Sequence, residues 1–75
     1  MPEYTVFLTW DEEAAVWTAS SNDIPGLVLE SGSLDALMER VRFAVPELME
    51  LNGTVPETIS MCFRSERYEQ VRMYG

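Results

Sequence analysis

The chain has no histidine and no lysine, its only cysteine is Cys62, and its first 39 residues carry no positively charged side chain. Each lack removes a class of function. Without histidine or lysine there is no usual general base, no Schiff-base amine, and no conventional serine-hydrolase or cysteine-protease arrangement. One cysteine and no histidine exclude an internal disulfide and the common mixed Cys/His zinc site, and Cys62 reads as a small core residue of a strand. No apolar run approaches the roughly 20 residues that span a bilayer, and Pro2-Glu3 opens the sequence without the basic and apolar regions of a signal peptide. A cytoplasmic protein is expected. Gly26, Gly32 and Gly53 lack phosphate-loop spacing.

What is present is 75 residues, 47% of them hydrophobic, with a formal net charge of −8. That length makes residues 1–75 one domain. A chain of this size hides only about 60% of its unfolded surface, so association is a common remedy for marginal stability, and a homodimer or higher homo-oligomer is expected. The charge is unevenly placed. Residues 1–39 hold eight acidic side chains, whereas residues 40–75 balance five arginines with five glutamates. Such a surface repels phosphate backbones and steers basic partners toward the first half, so direct nucleic-acid binding is not expected.

Tyr4 to Trp10 is β-branched and aromatic with alternating faces, a strand. Asp11-Glu12-Glu13 interrupts it, and Ala14 to Ser20 resumes the pattern, which makes a hairpin. In Asn22-Asp23-Ile24-Pro25-Gly26-Leu27, Pro25 presets φ for the second position of a type II turn and Gly26 supplies the positive φ of the third. A third strand, Leu27 to Glu30, follows.

Ser33 is positioned to cap a helix, and Asp35 places negative charge in its first turn. Leu34, Leu37, Met38, Val41, Val45 and Leu48 form one apolar stripe that keeps its phase past Pro46, so a single kinked helix ending near Leu51-Asn52, with Gly53 beyond it, is expected. At about 100° per residue, Phe43 points away from that stripe, among glutamates. Either the carboxy-terminal segment covers it, or it stands exposed, or it contacts a partner protein. After a connection at Thr54-Val55-Pro56-Glu57, Thr58 to Arg64 alternates as a fourth strand. Residues 66–75 read as a short fifth edge strand or a tail.

The order strand-strand-strand-helix-strand defines an α+β domain, an antiparallel sheet with the helix on one face and Phe7 on the other. Asp11-Glu12-Glu13 is a candidate Mg²⁺ set only in composition, because three consecutive turn residues do not converge as an oxygen cage requires. No cofactor and no catalytic or metal-binding residue is assigned, and an enzyme is not expected.

The stretches WDEEAAVW at 10–17, NDIPGLVLES at 22–31 and SLDALMERVRFAVPELMELNG at 33–53 together resemble the HicB-like antitoxin superfamily. The likeness covers roughly residues 3–65 and is strongest to a small bacterial branch known only as a domain of unknown function. The resemblance implies a partial ribonuclease-H-like fold and an antitoxin-type role: binding and inhibiting HicA, a small basic ribonuclease toxin. Relatives usually carry a second, DNA-binding domain, and no such segment follows this core, so DNA binding is not expected. The candidate partner-binding residues are Asp11, Glu12, Glu13, Asp23 and Phe43. Pro25 and Gly26 are assigned to the turn, Ser33 to the helix cap and Pro46 to the kink. The alternative function is a stand-alone oligomeric structural or small-ligand-binding module.

Overall fold

A computed structural model describes residues 3–53 and 57–74. The elements are β1 (Glu3–Asp11), β2 (Val16–Ser20), β3 (Val28–Ser31), α1 (Leu34–Leu51) and β4 (Ser60–Glu66). They form one sheet in the order β3-β2-β1-β4 with a single helix. This is the α+β, partial ribonuclease-H-like arrangement that the sequence implied.

The antiparallel expectation holds for β1, β2 and β3, but β4 joins β1 in parallel, so the sheet is mixed. The reason is directional. Two successive antiparallel pairings leave β3 running with β1. The 18-residue helix, about 27 Å long, then carries the chain back to the end where β3 began. A strand starting there runs with β1, as strands joined by a helical crossover do. The fourth strand also begins and ends two residues later than its alternation suggested, at Ser60 and Glu66. Thr54, Val55 and Pro56 of the expected connection lie outside the described residues.

Alternation sorts the sheet into two faces. Val6 and Leu8 of β1 and Trp17 and Ala19 of β2 are buried toward α1, and Leu29 of β3 and Met61 and Phe63 of β4 are half-buried on the same side. The helix contributes Leu37, Val41, Val45 and Met49 to the core, with Leu34, Met38, Ala44 and Leu48 half-buried at its flanks. Met49 therefore belongs to the stripe more deeply than Leu48. Ile24 and Leu27, on either side of the Pro25-Gly26 turn, are also buried, so the turn is pinned into the core as well as joining strands. α1 packs mainly over β2 and β3.

The opposite face carries Thr5, Phe7, Thr9, Thr18, Val28, Cys62 and Arg64, and no described element covers it. Cys62 pairs with Thr5 on this face and is half-buried, which corrects its reading as a core residue: the strand's phase places Met61 and Phe63 inside and Cys62 outside.

Local chemistry accounts for the ends of the elements. Ser33 has an extended backbone, and its hydroxyl accepts a hydrogen bond from the Ala36 N–H at 3.3 Å, the expected N-cap. The helix runs without a break through Pro46. That residue is exposed, so the carbonyl left without its usual partner faces solvent. Gly53 follows the C-cap with φ 78° and donates to the Glu50 carbonyl. Gly26 has φ 87°, and Leu27 donates to the Ile24 carbonyl at 3.2 Å, as a type II turn requires.

After β4 the chain leaves the domain. Residues 67–74 are irregular, so the fifth strand considered above does not form and this segment is a tail. The Cα radius of gyration is 14.8 Å, against about 11 Å for a compact chain of this length, and the long axis reaches 57 Å.

Candidate functional site

The β1–β2 hairpin builds the most acidic end of the molecule. Its loop, residues 12–15, is closed by Asp11, whose Oδ1 accepts from the Ala14 N–H at 3.2 Å, and by Ala15, which takes a left-handed φ of 55°. Asp11, Glu12 and Glu13 are all exposed and adjacent. The register places Trp10 directly opposite Trp17, and the two rings meet edge to face with centroids 5.5 Å apart. The Arg67 guanidinium lies 4.0 Å from the Trp10 ring centroid, and its Nε is 2.8 Å from Glu69 Oε1. The acidic loop thus stands on an aromatic platform whose cation is held by stacking and by a carboxylate at once. Glu12 lies beside Tyr68, Glu69 and Gln70 of the tail.

The sequence-predicted residues do not form one site. Asp11, Glu12 and Glu13 come together as expected. Asp23 sits at the other end of the strands, where its carboxylate accepts from the Thr5 N–H at 2.8 Å. The neighbouring Ser21 hydroxyl donates to the Thr5 carbonyl at 2.6 Å and accepts from the Asp23 N–H at 3.0 Å. β2 ends at Ser20, so these two side chains replace the ladder bonds that a continuing strand would have made to Thr5. Asp23 has a structural task here.

Phe43 is 74% exposed on the solvent side of α1, and the tail does not cover it. It lines an open groove with Leu29, Arg40, Ala44 and Glu47, between the helix and the edge strand β3. Arg40 spans this groove and donates to the Glu30 carbonyl at 2.6 Å. Sequence reasoning missed the Trp10–Trp17–Arg67 stack. The symmetric placement of the two tryptophans about the loop carries the signal for the first two, whereas nothing local marks Arg67, which reaches Trp10 only because β4 is parallel to β1.

Among the described residues, no three Asp, Glu or Cys side chains are grouped as a metal ion would need. The free carboxylates of the hairpin end suit recognition of a cationic surface. No helix among the described residues is long and apolar enough to cross a membrane.

These features define a one-helix α+β domain with a strongly acidic hairpin end, and the chain belongs to the family described as a domain of unknown function (DUF1902), whose model matches residues 3–75. Among solved structures it is similar to the hypothetical protein TTHA1013 from the extremely thermophilic bacterium Thermus thermophilus. The identity is 36% and the TM-score 0.79, with 92% of this chain and 99% of that chain covered. No curated protein matches the chain.

Proposed function

We propose that this domain is a cytoplasmic antitoxin-type inhibitor that binds and masks a small basic ribonuclease, as the likeness to HicB-like proteins implies. One observation carries the reading: eight acidic residues with no basic residue among the first 39, three of them exposed together at Asp11, Glu12 and Glu13. A ribonuclease that handles a phosphate backbone presents a cationic surface, and an acidic cover competes for it through the same charges. The role is to bind, with no reaction of its own.

The test is whether the native genome encodes a small, basic, histidine-containing protein beside this chain, and whether the full chain binds it. The expected result is a complex that weakens as salt rises and relief of the neighbour's toxicity on co-expression. A Glu12→Lys, Glu13→Lys double variant is expected to lose both while keeping its melting temperature. Absence of a complex at low salt, or unrelieved toxicity, overturns the reading.

The second reading, an oligomeric small-ligand-binding module, draws on the groove of Leu29, Phe43 and Ala44. A metabolite that raises the melting temperature, with the effect lost in Phe43→Ser, would favour it.

A further inference from the structure

Residues 68–74 are a feature the domain itself does not explain. Tyr68, Val71 and Met73 are 82%, 77% and 75% exposed. No backbone hydrogen bond joins these tail residues to the rest of the described chain. Yet the root of the tail is held in place. Arg67 stacks on Trp10 and pairs with Glu69, on the helix side of the sheet, which continues the alternation of β4 by one residue. The tail therefore leaves the domain in line with the strand before it.

β4 is itself incomplete. Among the described residues it is an edge strand, paired only with β1, so its outer side is a row of backbone groups with no partner there. Its inward residues Met61 and Phe63 are only half-buried, because α1 lies mainly over β2 and β3. Among the described residues there is thus a seven-residue edge without a partner strand and with an apolar flank, and a seven-residue extension with apolar side chains that pairs with no described strand.

We infer that the tail of one copy pairs antiparallel with the free edge of β4 in a second copy, and reciprocally, joining the two four-stranded sheets into one through a two-fold axis at Arg67. The length and the side-chain phase select this arrangement. With Arg67 on the axis, residues 68–74 lie opposite residues 66–60 of the other copy, so the tail spans β4 end to end. Opposed residues of an antiparallel pair share a face. Val71 then stands beside Phe63 of the second copy, and Met73 beside Met61, on the helix side, where each adds to the partial cover that α1 gives this strip through Arg42, whose guanidinium lies 5.9 Å from the Phe63 ring centroid. On the other face Gln70 meets Arg64 of the second copy, and Arg72 meets Cys62. Shifting the register by two residues in one direction opposes Arg72 to Arg64, and in the other it opposes Glu66 to its own copy and Glu69 to Phe63. In the chosen register the two Arg67 side chains approach each other, but each is already neutralised by its own Glu69 and stacked on its own Trp10. The contact is isologous and closed, and it removes the β4 edge from both copies. It requires nothing of the partner of the acidic hairpin.

Cys62 supplies the test, since it is the chain's one thiol. Opposed residues of an antiparallel pair have Cα atoms about 4.5–5.5 Å apart, within the range a disulfide spans. Residues 62 and 72 of the same extended chain are separated by roughly 33 Å. Full-length Arg72→Cys, treated with oxidised glutathione, is expected to form a disulfide-linked dimer through Cys62 of the other copy, whereas Val71→Cys, on the opposite face, is not. The unmodified chain is expected to sediment as a dimer at tens of micromolar. Val71→Asp with Met73→Asp is expected to weaken that dimer by about a hundredfold or more. A monomeric mass at that concentration overturns the inference. So does a dimer whose Arg72→Cys variant cross-links no better than Val71→Cys. If the aspartate variant fails to fold, the cross-linking comparison decides alone.

Discussion

Replacing Gly26 by alanine tests the account of the Ile24–Leu27 turn. Gly26 holds φ 87°, and an added Cβ would lie 3.3 Å from Leu48 Cδ2, a tight contact with a half-buried side chain of α1. The backbone term alone costs about 1–2 kcal/mol for a residue bearing a Cβ. The contact adds a few tenths more, because Leu48 sits at the flank of the core and can give way. The sum, roughly 2 kcal/mol, is a large share of the about 4–11 kcal/mol that a domain of this length has in total. It corresponds to a fall in Tm of roughly 8–16 °C at about 4–8 °C per kcal/mol. The sheet and helix should still form, so far-UV circular dichroism at low temperature should be unchanged while thermal and urea midpoints fall. Gly32→Ala is the control. Gly32 has no atom within 4 Å of an added Cβ and no positive φ, so its substitution should move the midpoint by no more than about 0.5 kcal/mol. Equal midpoints for the two variants would refute the reasoning, because the turn would then not demand glycine. Gly26→Val should be worse than Gly26→Ala, since branching at Cβ adds bulk toward Leu48.

Other substitutions probe the remaining local arguments. Ala15→Gly relieves a left-handed φ of 55° in the hairpin loop. The strain removed, about 1–2 kcal/mol, exceeds the added backbone entropy of glycine, about 0.5–1 kcal/mol, so urea unfolding should show a gain of roughly 0.5–1 kcal/mol. Asp23→Ala removes the acceptor for the Thr5 N–H and should cost about 1 kcal/mol, whereas Asp23→Asn keeps an acceptor and should cost less. The Thr5 amide should exchange with solvent faster in the alanine variant, and unaltered exchange there would contradict the strand-substituting role of Asp23.

The parts of this fold legible in the sequence are those that one residue's own geometry decides. Pro25 and Gly26 announce their turn through φ, Ser33 announces the cap, and Phe43 is exposed because 100° steps place it opposite Val41 and Val45. The illegible parts depend on what lies across space. The direction of β4 follows from the parity of strand and helix reversals, which alternation within Thr58–Arg64 does not encode. Its phase was legible, since alternation groups Ile59, Met61 and Phe63 on the face that packs against the core and so sends Cys62 outward. Asp23 reads as one more surface carboxylate until β1 is laid beside Ser21, when its hydrogen bond to Thr5 becomes visible. The acidic half of the candidate site was legible at Asp11, Glu12 and Glu13. Its aromatic floor was only half so, because Trp10 and Trp17 bracket the loop symmetrically while Arg67 arrives from the far end of the chain.

The parallel pairing of β4 with β1 also dictates an order of events during synthesis. The hairpin, the Pro25-Gly26 turn and α1 all close through contacts between near neighbours in sequence and can form as the chain emerges. One whole side of β1 must wait for a strand whose first residue, Ser60, comes 49 positions after Asp11 (60 − 11). At about 5–20 residues per second, that side stays open for roughly 2–10 s in every newly made molecule. Completion of the sheet is therefore the slow, long-range step of folding, and the last strand to be made seals the first.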